Sequence, residues 1–473
     1  MENKQKMDND NPGSLSLSLS RLATVEVQLI MHSLQTLDLL SLASCGSFFR
    51  QAASRDNFAW KHVSPVKIFN KDMSMTTERI RQLGILSMQP TSPLKHIRLN
   101  IHTEHEKRHA CWVDLYKTVD EFCSDRVSIL DVYRPCKLNT IVHSDVAKTI
   151  ASFVPRLRNL ECFHLQSTHM DTGNLIMLSK AIYQHKTITS IKLSNNLIDS
   201  QTITALTESF ESCPNLTSIT LSGNFLYDSG ILPLVPVLTR MTHVYLDSNR
   251  IGNIGMAYLS DVIKQSTSLK TIHLRWNSFS DEGVIKLADA IKNNTSLTEL
   301  DMCLHHKEYD CISALADAIK YTKSLKKLII CKSGMGDKGI KILANGIKSN
   351  RTLTNIAFNL CQIEEEGAKE LADAIKENSS LTSIDLESNT IKGNGASFIA
   401  DALKGNVSIK HLNLAWNDIG VKGACALANV INCHITGLTS LNVCCNNLSS
   451  GGLSALGSIK ENNKHITLYV GGN

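Results

Sequence analysis

Residues 269–296 read LKTIHLRWNSFSDEGVIKLADAIKNNTS, and the fold is decided by how this stretch changes rhythm partway along. Leu269, Ile272 and Leu274 are followed by Asn277 and Phe279, and the tight alternation at the centre is that of a short strand. Beyond Gly283 the apolar residues Leu287, Ala290 and Ile291 fall at helical spacing, among Ala, Leu, Lys and Ile residues compatible with a helix bearing one apolar face. Asn and Ser near the end of the stretch stop that helix.

Read outward, the same unit recurs. Its opening Leu-type residue stands at 160, 188, 216, 241, 269, 297, 325, 353, 381, 409 and 438, so the step is 28, except for one of 25 after Leu216 and one of 29 before Leu438. A last strand is expected at Ile466 to Val470, one further full step beyond Leu438. The glycine of the quoted stretch recurs as Gly230, Gly255, Gly339, Gly367, Gly395, Gly423 and Gly452, and the phrase ADAIK occurs at 288–292, 316–320 and 372–376. A coiled coil would need an uninterrupted heptad, which Asn and Gly break here. One such unit cannot bury both its strand face and its helix face. Stacked at the strand spacing of about 4.8 Å, neighbours share a continuous core, and because helices are wider than strands the stack curves with strands inside. The unit opening at Leu216 is three residues short and holds Pro233 and Pro236, so its outer helix should be cut down.

Composition agrees and excludes other classes. The chain has 473 residues, too many for one ordinary core but suited to a repeat array. Lys plus Arg number 49 against 44 Asp plus Glu; a net charge of +5 over this length gives no support for nucleic-acid binding or a polybasic membrane surface. No apolar run is long enough to span a bilayer, and Met1 to Gly13 lack the apolar stretch of a secretory signal. The 14 Cys are scattered through apolar stretches and read as reduced thiols in a cytoplasmic-type compartment; a nuclear location, or delivery into a host cell, is left open.

The repeats resemble the leucine-rich repeat family, in its ribonuclease-inhibitor-like class, from roughly Leu160 to the C-terminus. Asn196, Asn224, Asn249, Asn277, Asn389, Asn417 and Asn446 occupy that family's ladder position, where a side-chain amide satisfies backbone groups that the bend leaves unpaired. Thr168, His305, Ser333 and Cys361 depart from it, and Thr and Cys can replace part of the bonding. The stretch HHKEYD at 305–310, with no glycine at 311, points to an altered convex loop. The resemblance implies an α/β fold, a curved leucine-rich-repeat solenoid or horseshoe with a parallel concave sheet and convex helices, here preceded by a small all-helical domain.

That domain is read from residues 18–63, after a disordered tail at 1–17. Ile30 and Leu34 are four apart, and Leu37, Leu39 and Leu42 form a second cluster. The stretch resembles an F-box. Leu22 fits the family's opening Leu, Ile30 and Leu34 its first core helix, Asp38 and Leu39 its Asp-Leu, Cys45 and Phe48 its Cys-x-x-Trp/Phe, and Asp56 and Trp60 its closing element. It departs at Ala23, usually Pro, at Val25, usually acidic, and in a spacing one residue short between Leu39 and Cys45. The resemblance implies that Leu22, Ile30, Leu34, Leu39, Cys45, Phe48 and Trp60 bind, or support the binding of, a Skp-type adaptor protein of a cullin ubiquitin ligase (SCF). The alternative is a helical cap shielding the first repeat, since terminal repeats need atypical shielding units. Residues 64–159 read as a linker with two degenerate longer repeats, at Leu94, Ile97 and Leu99 and at Val127, Leu130 and Val132, in steps of 33. HTEHEKRHACW at 102–112 matches no zinc spacing well and reads as a solvated loop entering a helix.

Counted from the opening Leu, positions three, five, seven and eight should line the concave face. They place Tyr245 and Asp247 beside His273, Arg275 and Trp276, then Glu299 and Asp301, Lys327 and Lys332, Asp385 and Glu387, and His411 and Trp416. Aromatics among mixed charges suit an unidentified protein substrate or partner, with Trp276 and Trp416 as anchors unless each packs on its own neighbour. Cys303, Leu304, Ile329, Cys331, Ala357 and Leu360 form a more apolar sector. Catalysis finds no support: there is no P-loop, HExxH or G-x-S-x-G, the glycines of GMGDKG at 334–339 are turn residues, and His273 with Asp301 lacks a nucleophile. No cofactor or metal is expected. The functional expectation is a non-enzymatic adaptor of the F-box type, holding a substrate on the concave face; the alternatives are a scaffold or inhibitor-like binder without a ligase role, and a GTPase-activating role with Arg275 as a contact.

Overall fold

The structure is a computed structural model describing residues 66–68, 96–100, 128–133, 144–183, 185–304 and 309–473; of 66–68, 96–100 and 144–146 only the backbone is described. The expected tail at 1–17, the F-box-like segment at 18–63, the polar stretch at 102–112 and residues 305–308 of HHKEYD lie outside the described residues. The chain divides into two units, the first comprising 1–196 with Ser212–Leu216 and the second Leu197–Glu211 with Thr217–Asn473.

The first unit holds strands β1 (Val66–Ile68), β2 (His96–Asn100), β3 (Ile129–Tyr133), β4 (Cys162–Gln166) and β5 (Ser190–Lys192), with helices α1 (Ser144–Phe153) and α2 (Thr172–Ile182). The strands pair in parallel and in chain order, Val66 facing Ile97, His96 facing Ile129, Ile129 facing Cys162 and Cys162 facing Ser190. The register therefore advances from His96 to Ile129 to Cys162 by the same long step that the degenerate repeats show in the sequence. Strand β1 has no counterpart in the sequence reading; it extends the sheet by one strand ahead of β2. Leu130, Val132, Ile150, Phe153, Phe163 and Leu165 bury their side chains between sheet and helices. Asp171 caps α2 by accepting a hydrogen bond from the Asn174 backbone N–H at 2.8 Å, which satisfies one of the donors a helix start leaves free.

The second unit repeats the pattern. Its helix α3 (Ser200–Glu211) is followed by β6 (Ser218–Thr220), α4 (Ile231–Leu238), β7 (His243–Tyr245), α5 (Asn253–Gln265), β8 (Thr271–His273), α6 (Asp281–Asn293), β9 (Glu299–Cys303) and α7 (Tyr309–Tyr321). Then come β10 (Lys327–Cys331), α8 (Gly336–Ser349), β11 (Asn355–Ala357), α9 (Glu365–Glu377), β12 (Ser383–Asp385), α10 (Lys392–Ala402), β13 (His411–Asn413), α11 (Gly420–Cys433), β14 (Ser440–Asn442), α12 (Ser449–Asn462) and β15 (Thr467–Tyr469). Parallel pairing in chain order fixes the register: Ser218, His243, Thr271, Glu299, Lys327, Asn355, Ser383, His411, Ser440 and Thr467 stand side by side. The last step, from Ser440 to Thr467, is one place shorter than the usual one. Strand β15 accordingly starts at Thr467 rather than Ile466, which is buried just ahead of it.

Each unit contributes residues of the same kind to the core. In the quoted stretch these are Leu269, Ile272 and Leu274 from the strand side, Phe279 from the turn, and Leu287, Ala290 and Ile291 from α6, none more than 2% exposed. Full burial of each Leu or Ile stabilises the fold by about 1.5–3 kcal/mol. Except for Gly230, which stands just ahead of α4, the recurring glycine lies inside the first turn of the helix, and its role is space: a Cβ on Gly395 would come within 2.7 Å of Ile391 Cγ2 and 2.9 Å of Ala368 Cβ, an atom of the preceding helix. The short unit behaves as its prolines require. Helix α4 is eight residues long with Pro236 inside it, so the bond that residue's N–H would have made is missing. Helix α7, which has Cys311 where other units have glycine, keeps thirteen residues.

Two ladders of side-chain amides tie the repeats together. Asn277 accepts from the backbone N–H groups of Asn249, at 3.0 Å, and Ile251, at 3.1 Å, and donates to the carbonyls of Leu246 and Leu274, both at 3.0 Å. Asn389 repeats this pattern, and Asn417 and Asn446 vary it, donating to the Leu386 and Leu414 carbonyls of the preceding unit and to the carbonyls of Ala415 and Cys444 in their own. Cys361 fills the position weakly, its thiol donating to the Ile330 carbonyl at 3.2 Å, and Thr168 joins by donating its hydroxyl to Asn196 Oδ1 at 2.6 Å. Asn473 continues the series after β15, donating to the Val443 carbonyl at 2.9 Å and accepting from the Asn446 N–H. The second ladder runs along the helix ends. Asn294 donates to the Ile263 carbonyl at 2.6 Å and accepts from the Leu297 N–H at 2.6 Å; Asn350 and Asn378 do the same one and two units beyond Thr322. These residues satisfy carbonyls that a helix C-terminus leaves unpaired in the unit before.

Candidate functional site

The open face of the sheet in the second unit is set by alternation. Positions four and six of each unit point into the core, so five and seven point away from it, and position eight sits in the turn that follows. The backbone there is left-handed at Ser248, Trp276, Lys332, Leu360, Ser388, Trp416 and Cys445, where φ lies between +47° and +59°. A glycine or asparagine would adopt this conformation with least strain, and Gly223 and Gly472 do hold two of the positions. Trp276 and Trp416 nevertheless take it, with 46% and 59% of their surfaces exposed, and so does Leu360 at 54%. Neither tryptophan is folded away against its own neighbour.

The centre of the face is an interlocked polar network. The Tyr245 and His273 rings meet edge to face with centroids 4.7 Å apart. His273 Nε2 lies 3.3 Å from Glu299 Oε1, which also accepts from Lys327 Nζ at 2.9 Å. Arg275 Nε donates to Asp301 Oδ1, while the Arg275 backbone N–H donates to Asp247 Oδ1 at 2.8 Å. Lys332 Nζ stands 4.1 Å from the centroid of the Trp276 ring, a cation–π contact reaching across two units. Burial pushes the Asp301 carboxyl above the usual carboxylate range by more than Arg275 pulls it down. Partial burial opposes ionisation of Glu299 too, but the hydrogen bond and charge of Lys327, helped by His273, hold that carboxyl below its ordinary value. Burial, with Glu299 close by, raises the Tyr245 hydroxyl.

Toward the C-terminal end the chemistry changes. Asp385 accepts from Asn359 Nδ2 at 3.1 Å and from Asn413 Nδ2 at 2.8 Å, and Glu387 accepts from the same Asn413 amide at 3.0 Å. Among the described residues neither carboxylate takes part in an ion pair. Both remain half-buried between exposed Leu360 and exposed Trp416.

The residues expected on this face thus divide. Tyr245, Asp247, His273, Arg275, Trp276, Glu299 and Lys332 are at least partly open to solvent, as are Glu387 and Trp416. Asp301, 2% exposed, is covered and serves to hold Arg275. Of the apolar sector, Cys303 and Leu304 are buried, Ile329 and Cys331 keep 9% each, Ala357 is half-buried and Leu360 projects. The sequence reading missed the amide clamp on Asp385 and Glu387, whose signal was Asn413 at position five and Asn359 at position seven. Among the described residues no three His, Cys, Asp or Glu side chains are grouped to hold a metal, and no helix is long and apolar enough to cross a membrane.

The family match agrees with the geometry. The Leucine Rich repeat family matches residues 265–288, 349–372, 377–400, 405–428 and 434–457, all within the second unit. Human Protein NLRC5 is 30% identical over a stretch covering 24% of this chain and 8% of that protein, so the chain spans less than a tenth of that curated relative's length. A solved structure, the leucine-rich repeat-containing protein LegL7 from Legionella pneumophila, aligns with 66% of this chain and 97% of its own at 17% identity and a TM-score of 0.41. The in-register parallel strands, the helix that follows most of them, the asparagine ladder and the family match over five repeats make the chain a leucine-rich-repeat protein.

Proposed function

We propose that the chain is a non-catalytic scaffold that binds a protein partner through the open sheet face of its second unit. One observation carries this reading: Trp276, Leu360 and Trp416 occupy left-handed turn positions that glycine or asparagine would fill with less strain, and they project into solvent there. Exposed aromatics beside charged groups are what protein interfaces use as anchors. The ends of the face differ in what they ask of a partner. Around His273 and Arg275 the polar groups already answer one another. Asp385 and Glu387 are answered only by amides, so a partner segment carrying Lys or Arg beside an apolar residue complements the stretch between Leu360 and Trp416.

The test is crosslinking and mass spectrometry on the full chain, comparing wild type with Trp276→Ser and Trp416→Ser and with a convex control, Lys341→Glu. The reading expects one set of partners lost from both tryptophan variants and retained by the control. Equal capture by all four proteins would refute it.

The finer reading, that residues 18–63 are an F-box and the chain a substrate receptor of a cullin-type ligase, rests on the resemblance of those residues alone. So does the assignment of the repeats to the ribonuclease-inhibitor-like class, on their length and glycine. Binding of a purified Skp-type adaptor to the full chain, lost in Leu34→Asp, would support the ligase role; no binding by wild type would end it.

A further inference from the structure

Position seven of β9 is Cys303 and position seven of β10 is Cys331, and the register places them directly side by side. Their sulfurs are 3.2 Å apart, within hydrogen-bonding reach. Neighbouring parallel strands are separated by about 4.8 Å, inside the Cα separation of about 4.4–6.8 Å that a disulfide spans. Closing the bond therefore asks for rotation of two side chains and no displacement of backbone. Elsewhere the thiols are placed differently: Cys361 is buried with its sulfur on the Ile330 carbonyl, and Cys425 and Cys433 are exposed on α11. We propose that Cys303 and Cys331 are an oxidative modification site, a cross-strand dithiol that hydrogen peroxide closes to a disulfide and a thiol reductant reopens.

The surroundings suit the chemistry. Cys303 has no exposed surface, whereas Cys331 keeps 9% on the open face, so a small oxidant meets Cys331 first. The hydrogen bond between the thiols, with Arg275 nearby, lets the pair give up one proton more readily than an isolated buried thiol: Cys303 is shifted downward, and the same contact, with burial, holds Cys331 up. The charge rests mainly on Cys303; transfer of the Cys331 proton across the 3.2 Å contact places a minor share of it on Cys331, the sulfur that the oxidant can reach. That sulfur attacks one peroxide oxygen, the O–O bond breaks, and the other oxygen leaves as water after taking up a proton, so that Cys331 becomes a sulfenic acid. Cys303 sulfur then attacks the Cys331 sulfur; the S–S bond forms, the S–O bond breaks, and hydroxide leaves with the Cys303 proton as a second water. Two thiols lose two electrons and two protons, and one peroxide becomes two waters.

The site lies next to Lys332, whose ammonium sits on Trp276, so oxidation would reach the partner-binding face; that consequence rests on the reading above, whereas the chemistry of the pair does not. The test is peptide mapping of the full chain after peroxide treatment at neutral pH, quenched by alkylation under denaturing conditions. Trypsin places Cys303 in 293–307 and Cys331 in 328–332. The expected product joins these two peptides with loss of two hydrogens and returns to free thiols with dithiothreitol. In Cys331→Ser the peptide 293–307 should stay reduced at least tenfold longer. Recovery of both wild-type peptides as alkylated free thiols while Cys425 and Cys433 are oxidised would overturn the proposal. So would crosslinks scattered among other cysteines, or equally fast oxidation of Cys303 in the serine variant.

Discussion

Replacing Asn277 by Ala tests whether the inner ladder carries the stacking. The side chain is 4% exposed and makes five hydrogen bonds with main-chain groups of its own and the preceding unit, the longest, at 3.4 Å, to the Arg275 carbonyl, which also accepts from the Ser248 N–H. Among the described residues, truncation orphans the N–H groups of Asn249 and Ile251 and the carbonyl of Leu274. The Leu246 carbonyl keeps a partner, because Asn249 Nδ2 also donates to it at 3.0 Å. Three buried groups at about 1–3 kcal/mol each, less some relaxation toward water, give a cost of about 3–5 kcal/mol. In a stack whose units touch only their neighbours the loss is local at first. Native-state hydrogen exchange should therefore show the amides of Asn249 and Ile251 at least a hundredfold faster, while amides of β13 and β14 change little. Urea unfolding should show a lower midpoint, and a smaller slope if the array divides at this unit. Exchange at Asn249 and Ile251 within threefold of wild type would refute the claim that this amide couples one repeat to the next.

The remaining predictions address single groups. Cys361→Asn restores the amide that its neighbours in the ladder carry and should raise stability by about 1 kcal/mol, read as an increase in urea midpoint. Burial pushes the Cys361 thiol up to about 11 and that of Cys311 to about 12, so at pH 8 both should resist iodoacetamide in the native chain while exposed Cys433 reacts; modification of all three at one rate would contradict this. The depressed Glu299 carboxyl contributes stability that is present above its unfolded pKa and lost as pH falls through its lower folded value. Glu299→Gln should thus cost about 0.5 kcal/mol at pH 7, small because the pair with Lys327 is partly solvated, with the difference from wild type vanishing below the carboxylate range. Trp416→Gly relieves a left-handed backbone at φ +56° and should leave thermal stability unchanged or raise it, while weakening partner binding at least tenfold.

The architecture was legible because every unit states it again. A lone stretch such as LTSIDLESNT is ambiguous, but many of them at a nearly constant step fix strand, turn and helix together, and the longer step of the degenerate repeats is readable by the same arithmetic. Where a residue answers to one local circumstance the period says nothing. Asp301 and Glu387 look alike in sequence, yet one is buried against Arg275 and the other stays half-open, because the difference lies in what the adjacent strand supplies. The closing step reads one place too long because Ile466 is apolar and buried, yet stands one place after the opening position. The helix-end asparagines read only as stop signals, since a sequence shows that Asn294 ends a helix and not that its amide reaches the carbonyl of Ile263 in the preceding unit. Position eight hides its left-handed backbone because Ser, Lys, Leu and Trp all occur there.

This last feature lets the side chains of the open face vary without loss of the fold. The core residues and the ladder asparagine are bound to the fold, since each fills a volume or satisfies buried main-chain groups of its own and the preceding unit. Positions five, seven and eight face away from that core, so their side chains are free to differ while the backbone is held by the ladder residue immediately after them. Trp416 bears its conformational cost beside Asn417, whose amide donates to the Leu386 carbonyl at 2.8 Å and whose N–H is held by Asn446 at 2.9 Å. Strain of about 1–2 kcal/mol at the turn is tolerable because the adjacent hydrogen bonds fix its geometry independently of the tryptophan. Removing the ladder residue should therefore release the turn, while removing the tryptophan should not. Binding lost in Asn417→Ala through misplacement of Trp416, with the rest of the array still folded, is the behaviour that distinguishes a positioned anchor from an exposed residue that only happens to be aromatic.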